Sequence, residues 1–323
     1  MLLLDNPIDF QPDHLILRDR VVFEPLTATP QDTLRLADAL QQGQVLPESP
    51  LQVFKVGEQM VALSTVHMIY HHVAQGVTDG VAWMMSFCVI CNTGNCFSPL
   101  VNDERLEFVD RGFYNAMTIL GDAKTDSLWH HVSGRCLRGA LHGQQLTSLS
   151  VPRQLTVTQA LLEFPNCMFV LSRLNAEQAA IADEEDIGRK AESYPISSKT
   201  ATTFLNTDPR LPRLELGIGV WTDDLQRFYP MTSLYARNNV LLDRFGTQNL
   251  LVYVDPTSDL PGATFTTATS GKWIGDTLLL NNGDQLKRGV ISGKTPITRP
   301  FQLFQRWYSF VTLFPHGSVF GHG

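Results

Sequence analysis

The chain has 323 residues, of which 43% are hydrophobic and 18% charged, with a net charge of −7 and a pI near 5.7. That is a globular rather than a disordered composition, long enough to bury a real core as one large domain or two. No Lys/Arg block and no basic amphipathic stretch stands out, which excludes the usual footprints of nucleic-acid and membrane-surface binding.

At the N-terminus the leucine run of Met1–Asp5 is cut short by Asp5, so no signal peptide is expected, and no window approaches about 18 apolar residues. The expectation is a cytoplasmic protein acting on a small molecule, with no nucleic-acid or membrane partner. Residues 1–50 read as a leader packing on the core. Within them Thr29-Pro30-Gln31-Asp32 looks like a helix start, followed by Leu34, Leu36 and Leu40 at helical spacing.

Residues 51–173 read as a first repeat. Val53 to Ser64 alternates like paired strands around a Gly57-Glu58 turn, and Val66 to Ala74 reads as a short helix. Val81 to Cys88 follows as a strand with Val81, Trp83, Met85 and Phe87 on one face. Cys88 to Asn95 is then a turn, and Cys96 starts another strand. A short helix from Thr156 to Phe164 precedes a last strand, Met168 to Ser172.

Residues 174–213 read as a solvated acidic helix around Asp183-Glu184-Glu185-Asp186, then a Ser/Thr/Pro-rich loop from Tyr194 to Arg213. Residues 214–323 read as a second repeat. Asp126-Ser127-Leu128 matches Asp276-Thr277-Leu278, Arg138-Gly139 matches Arg288-Gly289, and Phe164-Pro165 matches Phe314-Pro315, all 150 residues apart. Upstream, Leu63-Ser64-Thr65 aligns with Tyr229-Pro230-Met231, 166 apart. The fold class expected is α+β: two tandem related repeats of mostly antiparallel sheet with short helices, the second degenerate.

Five cysteines are odd and sparse for this length, which argues against a disulfide scaffold. Three of them, Cys88, Cys91 and Cys96, crowd into nine residues. A C-x-x-C turn after a strand lets two thiolates converge on one ion. Cys88 and Cys91 can be metal ligands, a redox pair or plain core, and Cys96 can be core or ligand. Cys136 and Cys167 read as core.

Histidine supplies the remaining donors. His67, His71 and His72 lie on the predicted helix, with His67 and His71 on one side, and His130-His131 follow Trp129. The second repeat lacks these groups: Leu280 and Asn281 stand for His130 and His131, Ser233 and Arg237 for His67 and His71. The C-x-x-C stretch becomes Val254-Asp255-Pro256-Thr257. Ligand-type residues absent from one copy are not needed simply to form the fold, which favours a function in the other.

Four segments carry a resemblance: Tyr70-His71-His72-Val73, Phe87-Cys88-Val89-Ile90-Cys91-Asn92-Thr93, Phe108 to Asn115, and Thr125-Asp126-Ser127-Leu128-Trp129. In this order they resemble the DUF3179 family of unknown function, with its His followed by C-P-x-C. The resemblance brings no activity. It implies that His71, Cys88 and Cys91 form the heart of the site. The family's Glu after the His is His72 here, and the Pro of C-P-x-C is Val89.

The combined reading is a metal-dependent enzyme, oxidoreductase rather than hydrolase, holding one ion of zinc or copper, with iron possible. The candidate ligands are His71, Cys88 and Cys91, joined by Cys96 and His67. His72, His130, His131 and Asn115 are candidate catalytic groups. The alternatives are a non-catalytic binding module with a structural zinc, and a thiol-disulfide oxidoreductase using Cys88 and Cys91.

Overall fold

The computed structural model describes residues 8, 10–190, 194–205, 208–293 and 297–322. The leucine run Met1–Asp5 lies outside them. Strand dominates, in several mostly antiparallel sheets joined by short helices, as an α+β composition implies.

The strands Pro50–Val56 and Gln59–Ser64 form a hairpin whose turn places Gly57 at φ 57°. Arg153–Thr156 pairs antiparallel with the first strand, and Met168–Val170 runs parallel to the second. Both faces of this sheet are covered. Phe54, Val56, Val61 and Leu63 face one core, while Leu51, Val53 and Ala62 face another. Apolar residues at both parities are what a sheet buried on two sides requires.

The leader does not fold as its leucine spacing suggests. Pro30–Asp32 is a single 3-10 turn and Thr33–Arg35 is a strand paired with Met168–Val170; the helix waits until Leu36–Gln41. Docking Leu34 opposite Phe169 satisfies a sheet edge, and this tertiary gain outweighs a weak local preference. Two more leader strands, Leu15–Leu17 and Leu26–Thr27, pair with Phe108–Tyr114 and Val73–Thr78.

The first-half helix runs Thr65–His71, shorter than expected, because Val73 already belongs to the strand Val73–Thr78. The Ser64 side chain accepts from the His67 amide at its start, and His72 ends it in the left-handed region at φ 57°. Val73–Thr78 and Val81–Ser86 form the next hairpin, and Cys96–Phe97 pairs beside Val81–Ser86.

Several pairings beyond residue 214 run in the same order and sense. Leu51 pairs with Ser64 as Gly217 pairs with Pro230. Pro50 pairs with Thr156 as Leu216 pairs with Arg306, and Val61 with Met168 as Arg227 with Ser318. Met85 pairs with Cys96 as Val252 pairs with Ala263. Counted on from that last pair, Asp255 and Ser258 fall at the positions of Cys88 and Cys91, one residue later than the sequence comparison puts them. The closing bonds agree: the Cys88 amide donates to the Thr93 carbonyl and the Asp255 amide to the Leu260 carbonyl.

The halves interlock through one helix each. Val157–Glu163 reaches into the second half, where Gln159 Nε2 donates to Ser258 Oγ at 3.0 Å and Glu163 meets Arg299. Trp307–Leu313 reaches into the first half and buries Trp307, Tyr308 and Phe310. Each such aromatic contributes about 1.5–3 kcal/mol on leaving water. This helix lies against the turn that carries the cysteines.

Candidate metal centre

The strand Val81–Ser86 delivers the chain to a tight turn, Cys88–Thr93. Asn92 turns it through the left-handed region at φ 59°, which asparagine tolerates better than most residues. At Gly94 a Cβ would collide with the Ser86 carbonyl oxygen, so only glycine lets the chain return beside the strand. The turn is held by both halves. The Arg306 amide donates to the Cys91 carbonyl at 3.0 Å, and Gln154 Nε2 donates to the Asn92 carbonyl at 2.8 Å.

A second turn brings the third donor. The strand Leu128–His130 ends in a turn closed by the Gly134 amide on the His130 carbonyl. Ser86 Oγ donates to the His131 carbonyl at 2.7 Å and Asn95 Nδ2 to the Val132 carbonyl at 3.0 Å. Both turns therefore share the same two polar side chains as struts.

Cys88, Cys91 and His131 converge: one donor atom from each lies within 4.8 Å of the others, and all three residues are buried. Cys91 Sγ sits 3.5 Å from His131 Nε2. A tetrahedral ion with bonds of about 2.3 Å to sulphur and 2.0 Å to nitrogen sets an S···N edge of about 3.5 Å. The donor set therefore fits a metal ion without rearrangement of that edge. All five cysteines are free thiols.

The electrostatics suit a cation. Burial pushes the Cys88 thiol up, but hydrogen bonds from Cys91 and Thr118 outweigh it and bring it down to about 7. Burial and the neighbouring Cys88 drive Cys91 well above the ordinary thiol range. The pair thus favours one thiolate with one retained proton, which an incoming ion would displace. Burial, then His130 and His72, hold His131 far below the usual imidazole range. A neutral imidazole is the form that ligates.

Of the other sequence candidates, the structure brings none into this group. His71 is committed on both sides: Nδ1 lies 2.7 Å from the Glu24 carbonyl and Nε2 lies 2.7 Å from Ser172 Oγ. His67 sits one helical turn earlier, where the helix packs on Ala176–Lys190. Cys96 pairs within a strand opposite Met85 and Ser150, its thiol raised by burial. His130 is buried with Nδ1 at 2.9 Å from Ser133 Oγ. Asn115 is a turn residue at φ 52° that ties the halves: its Nδ2 donates to Thr312 Oγ1 and its Oδ1 accepts from the Leu205 amide.

His72 has a different setting. It caps the helix with its ring 4.8 Å from that of Phe23, and its Nδ1 has no hydrogen-bond partner among the described residues. It borders a cavity of about 70 Å³ that also touches Cys88 and Thr118. Arg18, sandwiched between Phe23 and Phe113 and paired with Asp110, lines it as well.

The second half supplies groups that motif reading misses. Tyr308 is fully buried facing both cysteines and donates to the Ala116 carbonyl at 2.9 Å. Arg306 is 0% exposed, and no carboxylate lies within ion-pair distance of it among the described residues. The acidic groups that do face it are Tyr308, Cys91 and Tyr194. The guanidinium donates instead to the Leu214 carbonyl at 2.6 Å and the Arg189 carbonyl at 3.2 Å. Its backbone amide is what meets the cysteine turn, at the Cys91 carbonyl. No sequence signal near residue 306 marks this, because the contact spans more than 200 residues.

Set beside known proteins, the chain falls in a class defined by family alone. Residues 32–315 match the family described as "Protein of unknown function (DUF3179)", and the chain belongs to that family. Nothing matches it among curated proteins or among solved structures. No helix of the described residues is long and apolar enough to cross a membrane.

Proposed function

We propose that the protein is a metal-dependent enzyme that carries out redox chemistry on a small molecule at one ion held by Cys88, Cys91 and His131. The observation that carries this is the convergence of two thiols and one imidazole within 4.8 Å. Three protein donors are the number that catalytic sites use, leaving one position for an outside ligand. The donor set is soft, and no carboxylate among the described residues joins it, which favours electron transfer over water activation. Among zinc, copper and iron, the redox reading selects copper or iron, because zinc has no redox chemistry of its own.

In this reading the chain's own residues divide the work. Ser86 and Asn95 orient His131. Arg306 offsets the thiolate charge, and Tyr308 closes the site to water from the side of the second half. His72 is the group placed to hold or release a proton beside Cys88. His71 and Asn115 act on the scaffold. The reading includes an internal duplication: the matching registers of the two halves support it, and Asp255 and Ser258 in place of the cysteine pair make the second copy degenerate.

Metal analysis of tag-free protein, taken with its ultraviolet–visible spectrum, tests the proposal. The expected result is one metal per chain, with thiolate charge-transfer colour for copper or iron, lost in Cys88→Ser. Absence of stoichiometric metal, with Cys88→Ser and His131→Ala leaving the protein unchanged, would overturn it. A colourless, tightly held zinc whose loss in Cys88→Ser melts the fold would instead mark a structural site.

A further inference from the structure

The cysteine turn is gripped at Asn92 by three separate parts of the chain. Asn92 follows Cys91 directly, is 1% exposed and holds the left-handed φ of 59°. Its Oδ1 accepts from Arg189 Nη1 at 3.2 Å, its Nδ2 donates to the Phe304 carbonyl at 3.3 Å, and its own carbonyl accepts from Gln154. Arg189 is itself fixed: its Nε donates to Asp186 Oδ1 at 2.8 Å, and both residues are buried in the helix Ala176–Lys190. Arg306 closes the ring from the other side, with its amide on the Cys91 carbonyl and its Nη2 on the Arg189 carbonyl. The second half provides an internal control. By the count that sets Asp255 against Cys88, Asp259 falls at the position of Asn92, and its φ is 58°. There the residue is exposed and its carboxylate accepts from the Tyr235 hydroxyl at the surface. The same turn conformation thus forms without a buried amide at this position, so the grip on Asn92 is not needed simply to make the turn.

We propose that Asn92 is a positioning residue for the metal centre: its side-chain amide, held between Arg189 and the Phe304 carbonyl, sets the direction of the Cys91 thiol relative to Cys88. The inference rests on the metal-centre reading and extends that site to the helix between the two halves. A residue other than glycine keeps a left-handed conformation only where its surroundings over-determine it, and groups that orient a metal ligand tune its affinity. An amide suits both contacts, with an acceptor toward the guanidinium and a donor toward the carbonyl. A carboxylate keeps the first contact and sets oxygen against oxygen in the second.

The test uses full-length protein with cobalt(II), whose thiolate charge-transfer and ligand-field bands report donor geometry. Asn92→Gly removes the amide and keeps a residue at ease with positive φ. It should weaken cobalt binding about 10–100-fold, read by chelator competition, and shift the ligand-field bands of the saturated protein, with the fold retained by circular dichroism. Asn92→Asp should fall between the parent and Asn92→Gly. Asp259→Gly, the same kind of change in the matching turn, should leave affinity and bands as in the parent. Parental bands in Asn92→Gly, with affinity within about twofold, would overturn the proposal, and so would an equal loss in Asp259→Gly. Should Asn92→Gly fail to fold, parental affinity and bands in Asn92→Asp overturn it instead. A parent protein that binds no cobalt would overturn the metal-centre reading, and the thiols then decide the positioning role. Maleimide labelling of metal-free protein, mapped by mass spectrometry, should modify Cys91 about tenfold or more faster in Asn92→Gly, because two hydrogen bonds that hold the turn are lost. Equal rates would overturn the positioning role as well.

Discussion

Replacing His131 or His71 with alanine separates the donor the structure selects from the one the motif suggests. A protein metal site contributes about 10–16 kcal/mol of binding. Divided among three donors, that is about 3–5 kcal/mol each, or two to three and a half decades of affinity. His131→Ala should therefore weaken metal binding at least 100-fold, read by competition with a chromophoric chelator. His71→Ala removes two hydrogen bonds, to Glu24 and Ser172, each 2.7 Å long. At about 1 kcal/mol apiece it should cost about 2 kcal/mol of stability in a urea titration, with metal affinity within about twofold of the parent. Loss of metal in His71→Ala, with His131→Ala still binding within tenfold, would refute the assembly of the site as described.

Further outcomes follow from other contacts. Ser86→Ala removes a strut from the His131 turn and should lower metal affinity about 10–100-fold, as loss of a supporting bond typically does, with the fold retained by circular dichroism. Arg306→Met should lower metal affinity about tenfold at neutral pH while Arg306→Lys restores part of it; equal affinity in all three proteins would remove its role as counter-charge. Glu163 holds Arg153 at 2.5 Å and Arg299 of the second half at 3.3 Å. Glu163→Gln should cost about 2–3 kcal/mol, because both guanidinium groups lose their partner in a largely buried place. Burial pushes the Glu163 carboxyl up, but the two arginines outweigh it and hold it below 4.5. A carboxyl lowered in the folded state stabilises above its unfolded value and loses that contribution as pH falls. The parent should thus weaken below about pH 4.5 more steeply than Glu163→Gln in urea titrations. Identical acid profiles would show that the ion pairs contribute nothing.

The strand-and-turn grammar was legible along the chain. Alternation marked the hairpin at Gly57, and C-x-x-C after the Val81 strand marked a turn where two thiols meet. These features are local, set by side-chain parity and by backbone dihedrals that few residues tolerate. The cysteine pair of the site was readable for the same reason. Its third donor was not. His71 and His131 are equally good ligands as residue types, and nothing within a few positions of either tells which one reaches the thiols.

That choice depends on where two distant turns are docked. Ser86 and Asn95 fasten the His131 turn beside Cys91, while Glu24 and Ser172 occupy both nitrogens of His71. The same holds for the leader, where Leu34 follows a sheet edge supplied by residues 168–170 rather than its own helical spacing. It holds too for Arg306 and Tyr308, which wall the site from the second half. The tandem similarity hinted at two equivalent sheets, but in sequence it gave no sign that each half sends a helix into the other. Local chemistry is written in short windows of sequence. Which donors converge is decided by long-range packing, because burial and hydrogen bonding are satisfied only once the whole chain is assembled.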